Sequence, residues 1–276
     1  MEEPIVSVIM TTYNWKKERI SEAIKSIINQ SYKNLELIIV DDCSTNNIWD
    51  YIKSLTLKHP NIKYSRNTSN LWVSKSSNKW IKESKWKYIA RIDDDDIWND
   101  KDKIKKQVEF MENNPPYGLC WAENIIIIDE KWNIINNTKH RILDNDIREH
   151  ILEWNQFTHS STLFRRESLE KVWLYNENYR AALDYEIVCK VWALYKFANI
   201  KWISVSYRIN TNWITKKKYN LQYKNALKIF WNNRKNYPHF FRALGVRGAN
   251  MLLPTYIKEW IKDKIKNTSL YNNIVR

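Results

Sequence analysis

Glycine is nearly absent from this chain, and that shortage limits how it can fold. Only three glycines occur among 276 residues, beside fifteen tryptophans. An average composition would give about 19 glycines at this length. Glycine is the residue that adopts positive φ freely, so tight turns and helix ends usually depend on it. A folded chain of this composition must therefore place other residues at such positions.

Several tryptophans stand where a folded chain would use glycine. Trp132 lies between the apolar segments Ile125–Ile128 and Ile134–Ile135, a pattern that predicts a hairpin turn with one residue at positive φ. Trp86 follows a helical segment and precedes a strand, which is the position of the left-handed residue that ends many helices. Trp15 lies in a strand-to-helix turn.

We therefore predict that most of these tryptophans are encoded by UGA codons that the source cell reads as glycine. The alternative is a genuinely tryptophan-rich protein. Tryptophans in aromatic or amphipathic surroundings are predicted to be genuine, namely Trp49, Trp98, Trp231 and Trp260. The positions reassigned to glycine are Trp15, Trp72, Trp80, Trp86, Trp121, Trp132, Trp154, Trp173, Trp192, Trp202 and Trp213.

Charge and cysteine content narrow the compartment and the partners. The net charge of +14 favours anionic partners such as sugar nucleotides, nucleic acid or an anionic membrane face, although a lysine-rich proteome would also explain it. Cys43, Cys120 and Cys189 are widely spaced and odd in number, which fits a reducing cytoplasm. No apolar run approaches about 18 residues, so we expect a cytoplasmic protein without a membrane span.

The first half of the chain alternates strand and helix patterns. Apolar residues between the strands recur at spacings of three and four, as in the segment 20–28, which predicts amphipathic helices. This order predicts an α/β fold with a mostly parallel sheet and helices on both faces. The predicted strands are Ile5–Met10, Leu35–Val40, Asn61–Arg66 and Tyr88–Ile92. The second half is less regular, with a hairpin around 125–135 and helices predicted over 184–197 and from about 219 onward.

Acidic residues follow two of these strands. Asp41 and Asp42 come after the second strand, and Asp93–Asp96 come after the fourth. Ligands of parallel sheets bind at the carboxyl ends of the strands. Asp93 and Asp95 are offset by one residue and could share a Mg²⁺ or Mn²⁺ ion, since these hard cations prefer carboxylate oxygens. Four aspartates in a row leave the register open, and an acidic run alone is usually a solvated turn.

Several segments resemble a known family. Val6–Asn14 resembles the first strand of family 2 glycosyltransferases with the GT-A fold, and Leu37–Thr45 is similar to their second strand with its Asp-Asp-x-Ser-Thr motif. Tyr88–Asp96 resembles their D-x-D-D strand. With glycine at 72, 80 and 86, the segment 70–89 completes the pattern N-x-G-x5-N-x-G-I-x4-G-x-Y-I. The resemblance runs from residue 5 to about 215.

The resemblance implies a metal-dependent, inverting transfer of a sugar from a UDP-, GDP- or dTDP-sugar to a saccharide or lipid-linked acceptor, in cell-envelope polysaccharide or glycan synthesis. It implies that Asp95 binds Mn²⁺ or Mg²⁺ and that Asp93 contacts ribose or metal. The nucleotide-binding residues it implies are Thr12, Tyr13, Asp41, Asp42, Lys75, Asn78 and Asp93.

The catalytic base is placed by the same resemblance. Ala182–Glu186 is similar to the segment that carries the family's basic carboxylate, which points to Asp184, with Glu186 as the fallback. Leu183 departs from the common acidic residue, and Asp184 alternatively caps a helix. His159 and Ser160 are expected to border the acceptor pocket, although a lone histidine is more often structural.

The resemblance also divides the chain. We predict a transferase domain over 1–215, with a nucleotide-sugar half to about 98 and an acceptor half over about 99–215, followed by a basic helical extension over 216–276. Met251–Lys266 is expected to pack on its own domain, or alternatively to lie against the inner face of a membrane. The alternative functions are a non-catalytic nucleotide-sugar or saccharide binder and a nucleotidyltransferase. Nucleic acid is disfavoured, since the acidic cluster would repel its phosphates.

Overall fold

Nine strands of the described residues form one sheet. The computed structural model describes residues 3–84, 86–153, 155–209 and 219–252. The order within the sheet is β3-β2-β1-β4-β8-β6-β9-β5, and β7 pairs with β6. The strands are β1 Val6–Thr12, β2 Leu35–Asp41, β3 Ile62–Arg66, β4 Tyr88–Asp93, β5 Ile97–Trp98, β6 Tyr117–Ile128, β7 Ile134–Lys139, β8 Leu163–Arg165 and β9 Lys196–Arg208.

Helices cover both faces of this sheet. The apolar sides of α1, α2 and α4 pack on one face, and those of α3 and α5–α9 contribute to a second core on the other. The helices are α1 Lys17–Ile28, α2 Ile48–Thr56, α3 Trp72–Glu83, α4 Lys103–Asn113, α5 Asp144–His150, α6 Arg166–Lys171, α7 Leu183–Trp192, α8 Tyr219–Asn232 and α9 Phe240–Leu252. A mostly parallel sheet with helices on both faces confirms the predicted fold class.

The strand order reverses between β1 and β4. The chain runs outward from β1 to β2 and β3 and then crosses back to β4, and all four strands are parallel. Ligands of such sheets bind at this switch point, outside the carboxyl ends of the strands. The register pairs Thr12 with Asp41 and Thr11 with Asp93, so the two acidic clusters lie at the same edge.

The second half differs from the sequence prediction. The helix predicted over 184–197 ends at Trp192, and Lys196–Arg208 is a strand of 13 residues. This strand pairs in parallel with β6 along most of its length. Pairing with a partner about eighty residues earlier in the chain decides its conformation, which local periodicity cannot show. β5 is a short strand that the sequence did not predict.

The three tryptophans expected at positive φ, Trp15, Trp86 and Trp132, differ in what the structure shows. Trp132 has φ 70°, which confirms the hairpin prediction. α3 ends at Glu83 and leaves through Ser84 in an extended conformation, but residue 85 lies outside the described ranges, so the left-handed position of Trp86 stays a prediction. At the turn before α1, the positive φ falls on Asn14 at 58°, a residue type that tolerates this region.

The helices after residue 218 share the second core. Ile229 and Phe230 of α8 are buried with the apolar side of α7, and the Tyr237 hydroxyl donates to the Cys189 carbonyl of α7. The boundary predicted near 215 lies outside the described residues, as does most of Met251–Lys266, so both stay predictions. No helix within the described ranges is long and apolar enough to cross a bilayer.

Gly118 in β6 packs closely against the Tyr195 side chain. A Cβ at this position would lie 2.7 Å from the Tyr195 Cβ and Cγ atoms, so Gly118→Ala should lower the free energy of unfolding by about 1–3 kcal/mol. Gly245 in α9 has open space around it, and Gly245→Ala should raise that energy by up to about 1 kcal/mol. Urea unfolding midpoints measure both, and effects of the same sign would contradict the packing.

Candidate active site

A cavity of about 610 Å³ opens at the switch point between β1 and β4. Its volume lies within the usual range of roughly 300–1,000 Å³ for small-molecule sites. Thr12 at the end of β1 and Asp93 and Asp94 at the end of β4 line one side. Asp184, in the first turn of α7, lines the other. The fold therefore brings carboxylates from two distant segments to one cavity.

Asp41 is held by its own loop. It is fully buried, and its Oδ1 accepts a hydrogen bond of 2.8 Å from the Ser44 backbone N–H. The Tyr64 hydroxyl donates to Oδ2 at 3.0 Å, and the Arg66 Nε lies 3.6 Å from the same oxygen. Asp41 is not among the residues that line the cavity. In this structure it shapes the loop after β2.

Asp42 organises the segment that enters α3. Its Oδ1 accepts hydrogen bonds of 2.8 Å from the Asn67 amide and 2.9 Å from the Ser76 hydroxyl and the Leu71 N–H. Its Oδ2 accepts from the Trp72 N–H at 2.9 Å. Asp42 also lines the cavity. One carboxylate thus fixes the chain at the start of α3, beside the cavity.

Asp93 faces the cavity beside a buried cation. Its side chain keeps 29% of its surface exposed, and its Oδ1 lies 3.7 Å from Arg91 Nη2 and 3.9 Å from His159 Nδ1. Arg91 is completely buried, and no nitrogen of its guanidinium has a hydrogen-bond partner within the described residues. Burial raises the pKa of Asp93, and the Arg91 charge opposes that rise.

The other three aspartates of the cluster have different surroundings. Asp94 lines the cavity, and Asp95 is 1% exposed with neither carboxylate oxygen hydrogen-bonded within the described ranges. Asp96 is tied down, since its Oδ2 accepts from the Ser160 hydroxyl and its Oδ1 accepts from the Arg208 N–H at 2.9 Å. Burial raises the pKa of all three, and their mutual repulsion adds to it.

Asp184 is the carboxylate on the opposite wall. Ala182, with φ 57°, precedes α7 and turns the chain so that Asp184 lies in its first turn. The Asn155 amide donates to Asp184 Oδ2 at 2.9 Å. Burial raises the pKa of Asp184, and the charge of Asp93 contributes to the rise. Glu186, the fallback, does not line the cavity and is paired with Lys190 at 3.2 Å.

The remaining predicted residues divide between the cavity and its supports. Thr12, Tyr13 and His159 line the cavity, and Tyr13 is 48% exposed. Lys75 is exposed on α3 and does not line it. Asn78 is buried against the loop before α7, where its amide donates to the Tyr175 carbonyl at 2.8 Å and accepts from the Tyr175 N–H at 3.0 Å.

His159 and Ser160 lie side by side in a short 3₁₀ turn but have separate environments. The His159 Nε2 and the Tyr175 hydroxyl are 2.7 Å apart. Burial, with the Arg91 charge, lowers the pKa of His159 well below its usual value, so the ring is neutral. Ser160 is fully buried and donates to Asp96, while its hydroxyl accepts from the Asp93 N–H at 3.0 Å. Ser160 therefore links Asp93 and Asp96 of the acidic cluster by hydrogen bonds.

Much of the remaining cavity wall consists of residues that the sequence did not predict. Amide and aromatic side chains form much of it, and Arg180 is the one lysine or arginine among the described residues that line the cavity. These residues come from β7, β9 and loops, where the sequence has no periodic signal. The missed residues are Asn136, Asn137, Asn155, Phe157, Arg180 and Tyr207.

The acidic cluster fits a hard divalent cation. Asp95 presents two carboxylate oxygens, and Asp94 one, that lack hydrogen-bond partners within the described chain, and such oxygens are the ligands that Mg²⁺ prefers. Among the described residues, no group of three or more histidine, cysteine, aspartate or glutamate side chains surrounds one point. An ion here would therefore take the rest of its ligands from a bound substrate and water.

Sequence comparison relates nearly the whole chain to glycosyltransferases. The sequence model of the family described as Glycosyl transferase family 2 matches residues 7–173. An uncharacterized glycosyltransferase of Methanocaldococcus jannaschii is 32% identical, over 98% of this chain and 97% of the relative. The UDP-Glc:alpha-D-GlcNAc-diphosphoundecaprenol beta-1,3-glucosyltransferase of Escherichia coli is 38% identical, over 39% of this chain and 41% of the relative.

Comparison with solved structures supports the fold described above. A mannosyltransferase from Pyrobaculum calidifontis, solved with GDP-Man and Mn²⁺, superposes with a TM-score of 0.64 at 16% identity. The match covers 99% of this chain and 83% of the other. The two proteins share an architecture despite the low identity.

Proposed function

This chain belongs to glycosyl transferase family 2 and is a glycosyltransferase with a GT-A fold, and we propose that it transfers a sugar from a nucleoside diphosphate sugar with the help of a divalent metal ion. The observation that carries the proposal is the single cavity that holds Asp93 and Asp94 on one wall and Asp184 on the other. The family match favours this function over a nucleotidyltransferase or a non-catalytic binder.

The nucleoside end of the donor would lie over the ends of β1 and β2. Thr12 and the exposed ring of Tyr13 line this part of the cavity, and the ring offers an apolar face for a base. Asp41 and Asp42 keep the flanking loops in place through backbone N–H groups. Asp93, partly exposed beside Arg91, would accept hydrogen bonds from the ribose or share the metal.

Charge neutralisation is the main task at the diphosphate. When bound, the Mg²⁺ or Mn²⁺ ion would stabilise the negative charge that develops on the departing diphosphate. Asp95 and Asp93 would hold it, and Asp94, which lines the cavity with Asp93 whereas Asp95 does not, is the alternative if the register differs by one residue. Arg180 on the same cavity adds a cation of the protein's own, which can contact phosphate oxygens.

Asp184 would act as the general base. As the acceptor hydroxyl oxygen forms a bond to the anomeric carbon, its proton passes to Asp184 and the bond from that carbon to the diphosphate oxygen breaks. Attack from the side opposite the leaving group inverts the configuration. Asn155 orients Asp184 through the 2.9 Å hydrogen bond, and the raised pKa of Asp184 makes it a better proton acceptor.

The wall around Asp184 suits a saccharide. The amides of Asn136, Asn137 and Asn155 can pair with sugar hydroxyls, and the rings of Phe157 and Tyr207 present apolar faces. The Escherichia coli relative is named for a sugar acceptor on a diphosphate lipid. We include a lipid-linked saccharide of this kind among the proposed acceptors, in cell-envelope polysaccharide synthesis.

Calorimetric titration of UDP and GDP, each with and without Mn²⁺, tests the donor site. We expect one nucleotide to bind with a clear gain in affinity when Mn²⁺ is present, because the carboxylates of the acidic cluster would hold the ion and its charge would favour the diphosphate. The bound nucleotide then selects the sugar nucleotides for transfer assays. A folded protein that binds neither diphosphate under either condition would contradict the proposal.

A further inference from the structure

Four described tryptophans have a backbone conformation that favours glycine. Their φ angles are 70° at Trp72, 70° at Trp132, 62° at Trp173 and 66° at Trp202. Bulky residues are genuine outliers in this left-handed region. None of the three encoded glycines has positive φ. Tryptophan thus occupies four of the ten described non-glycine positions with positive φ, whereas the three encoded glycines all lie elsewhere.

Trp173 occupies the glycine position of a Schellman motif. After α6 and its C-cap Val172, the Trp173 N–H donates to the Glu170 carbonyl at 3.1 Å, and the Leu174 N–H donates to the Leu169 carbonyl at 2.9 Å. This pair of hydrogen bonds defines the motif, and its left-handed residue is usually glycine. The Trp173 side chain is 89% exposed, so its ring adds nothing to the core.

Trp132 and Trp202 lie in two other motifs that use glycine. Trp132 closes the loop between β6 and β7, where its N–H donates to the Asp129 carbonyl at 3.2 Å, and such loops place glycine at the left-handed position. Trp202 lies where the pairing of β6 with β9 shifts between Ala122 and Asn124, and a left-handed residue in such a bulge is typically glycine. Trp202 is 82% exposed.

Trp72 is the fourth case and lies at the active site. It begins α3 with its N–H bonded to Asp42, and its ring is stacked 4.7 Å from the Arg180 guanidinium. Glycine at 72 would remove this stacking partner. Arg180, on the cavity wall, would then be available to a phosphate group of the donor.

We propose that the native protein has glycine at 72, 132, 173 and 202, because its UGA codons are translated as glycine. Each position belongs to a different backbone motif with the same conformational requirement. The tryptophans predicted to be genuine within the described residues, Trp49, Trp98 and Trp231, all lack positive φ. Positive φ thus distinguishes these four positions from the three tryptophans predicted to be genuine, independently of composition.

The other reassigned positions rest on weaker observations. Trp80 and Trp121 bury indole N–H groups that have no hydrogen-bond partner within the described chain, whereas the Trp192 indole donates to Asp144 at 2.9 Å. Trp15 lacks positive φ, and the φ angle of Trp86 depends on residue 85, which lies outside the described residues. Trp154 and Trp213 lie outside the described residues. The proposal is therefore limited to the four left-handed positions.

The gene and the native protein test it together. We expect UGA at codons 72, 132, 173 and 202 and UGG at codons 98 and 231. Trypsin should release the peptides 67–75, 132–139, 172–180 and 202–208, each lighter than the tryptophan form by the difference between tryptophan and glycine residues. The peptides 92–101 and 229–234 carry the internal controls and should keep tryptophan. UGG codons or tryptophan masses at the four positions would overturn the proposal.

Two recombinant variants test the physical reason. Glycine at all four positions should raise the melting temperature of the tryptophan-containing chain by about 2–4 °C per position. Alanine at the same four positions is the matched control, because it removes the ring but keeps the Cβ that is strained at positive φ, and it should give a clearly smaller rise. Equal effects of glycine and alanine would show that the backbone conformation does not demand glycine.

Discussion

Asp184→Asn should lower kcat by about 10²- to 10⁴-fold, the usual contribution of a general base. The asparagine amide is nearly the same size and can still pair with Asn155, so nucleotide binding and folding should persist. The loss should therefore appear in turnover rather than in the dissociation constant of the nucleotide. Steady-state transfer kinetics and calorimetry on the same preparation measure the two quantities separately.

Glu186→Gln is the matched comparison, since Glu186 lies two residues further along α7 and is paired with Lys190 rather than lining the cavity. We expect it to keep most of its activity, and the reverse result would make Glu186 the base.

The pH profile of the transfer activity gives a second check on Asp184. A base acts only when ionised, so activity should fall as the pH drops through the pKa of Asp184, which burial raises. Asn155→Ala should move this fall to still higher pH.

Asp95→Asn should abolish the gain in nucleotide affinity that Mn²⁺ provides, because the amide removes a carboxylate that we propose as a ligand of the ion. The same variant should be more stable than the parent without metal, by about 1–3 kcal/mol, since the buried carboxylate has no hydrogen-bond partner within the described residues. Thermal unfolding with and without Mn²⁺ and nucleotide should show the parent stabilised by ligand and the variant unchanged.

Glu109→Gln provides the control for a lost negative charge, because Glu109 lies on the exposed side of α4. It should leave both the metal effect and the stability without metal close to those of the parent. An Asp95→Asn protein that kept full Mn²⁺-dependent binding would assign the metal to other members of the cluster, and Asp93→Asn and Asp94→Asn would then identify them.

Local patterns predict the first half of the fold well. β1, β2 and β4 are short, mainly apolar runs, and α1 and α2 repeat apolar residues every three or four positions, so their type and approximate bounds can be read directly. β9 is different. Its residues Lys196–Arg208 mix polar and apolar side chains, and its conformation depends on pairing with β6, which no local pattern reveals. The helix predicted there consequently extends too far.

The same division applies to the site. Asp93 and Asp184 were assigned by their resemblance to the family, and both line the cavity. Asn155 and Arg180 could not be found in this way, because each lies in a loop and acquires its role only from what the fold brings next to it. Lys75 and Asn78 belong to a matching pattern, yet Asn78 holds the loop at Tyr175, so a sequence pattern can mark a residue that fixes the architecture.

The last two described helices support α7, and this limits where a chimera with a relative can be joined. Arg247 of α9 donates to the Leu152 carbonyl and to the Tyr185 hydroxyl at 3.1 Å, and Gln222 of α8 lines the cavity. Residues far beyond the segment that the family model matches therefore support the helix that carries Asp184. A chimera designed to exchange acceptors should therefore keep α8 and α9 together with α7. A junction between α7 and α8 would separate Asp184 from the helices that pack against α7.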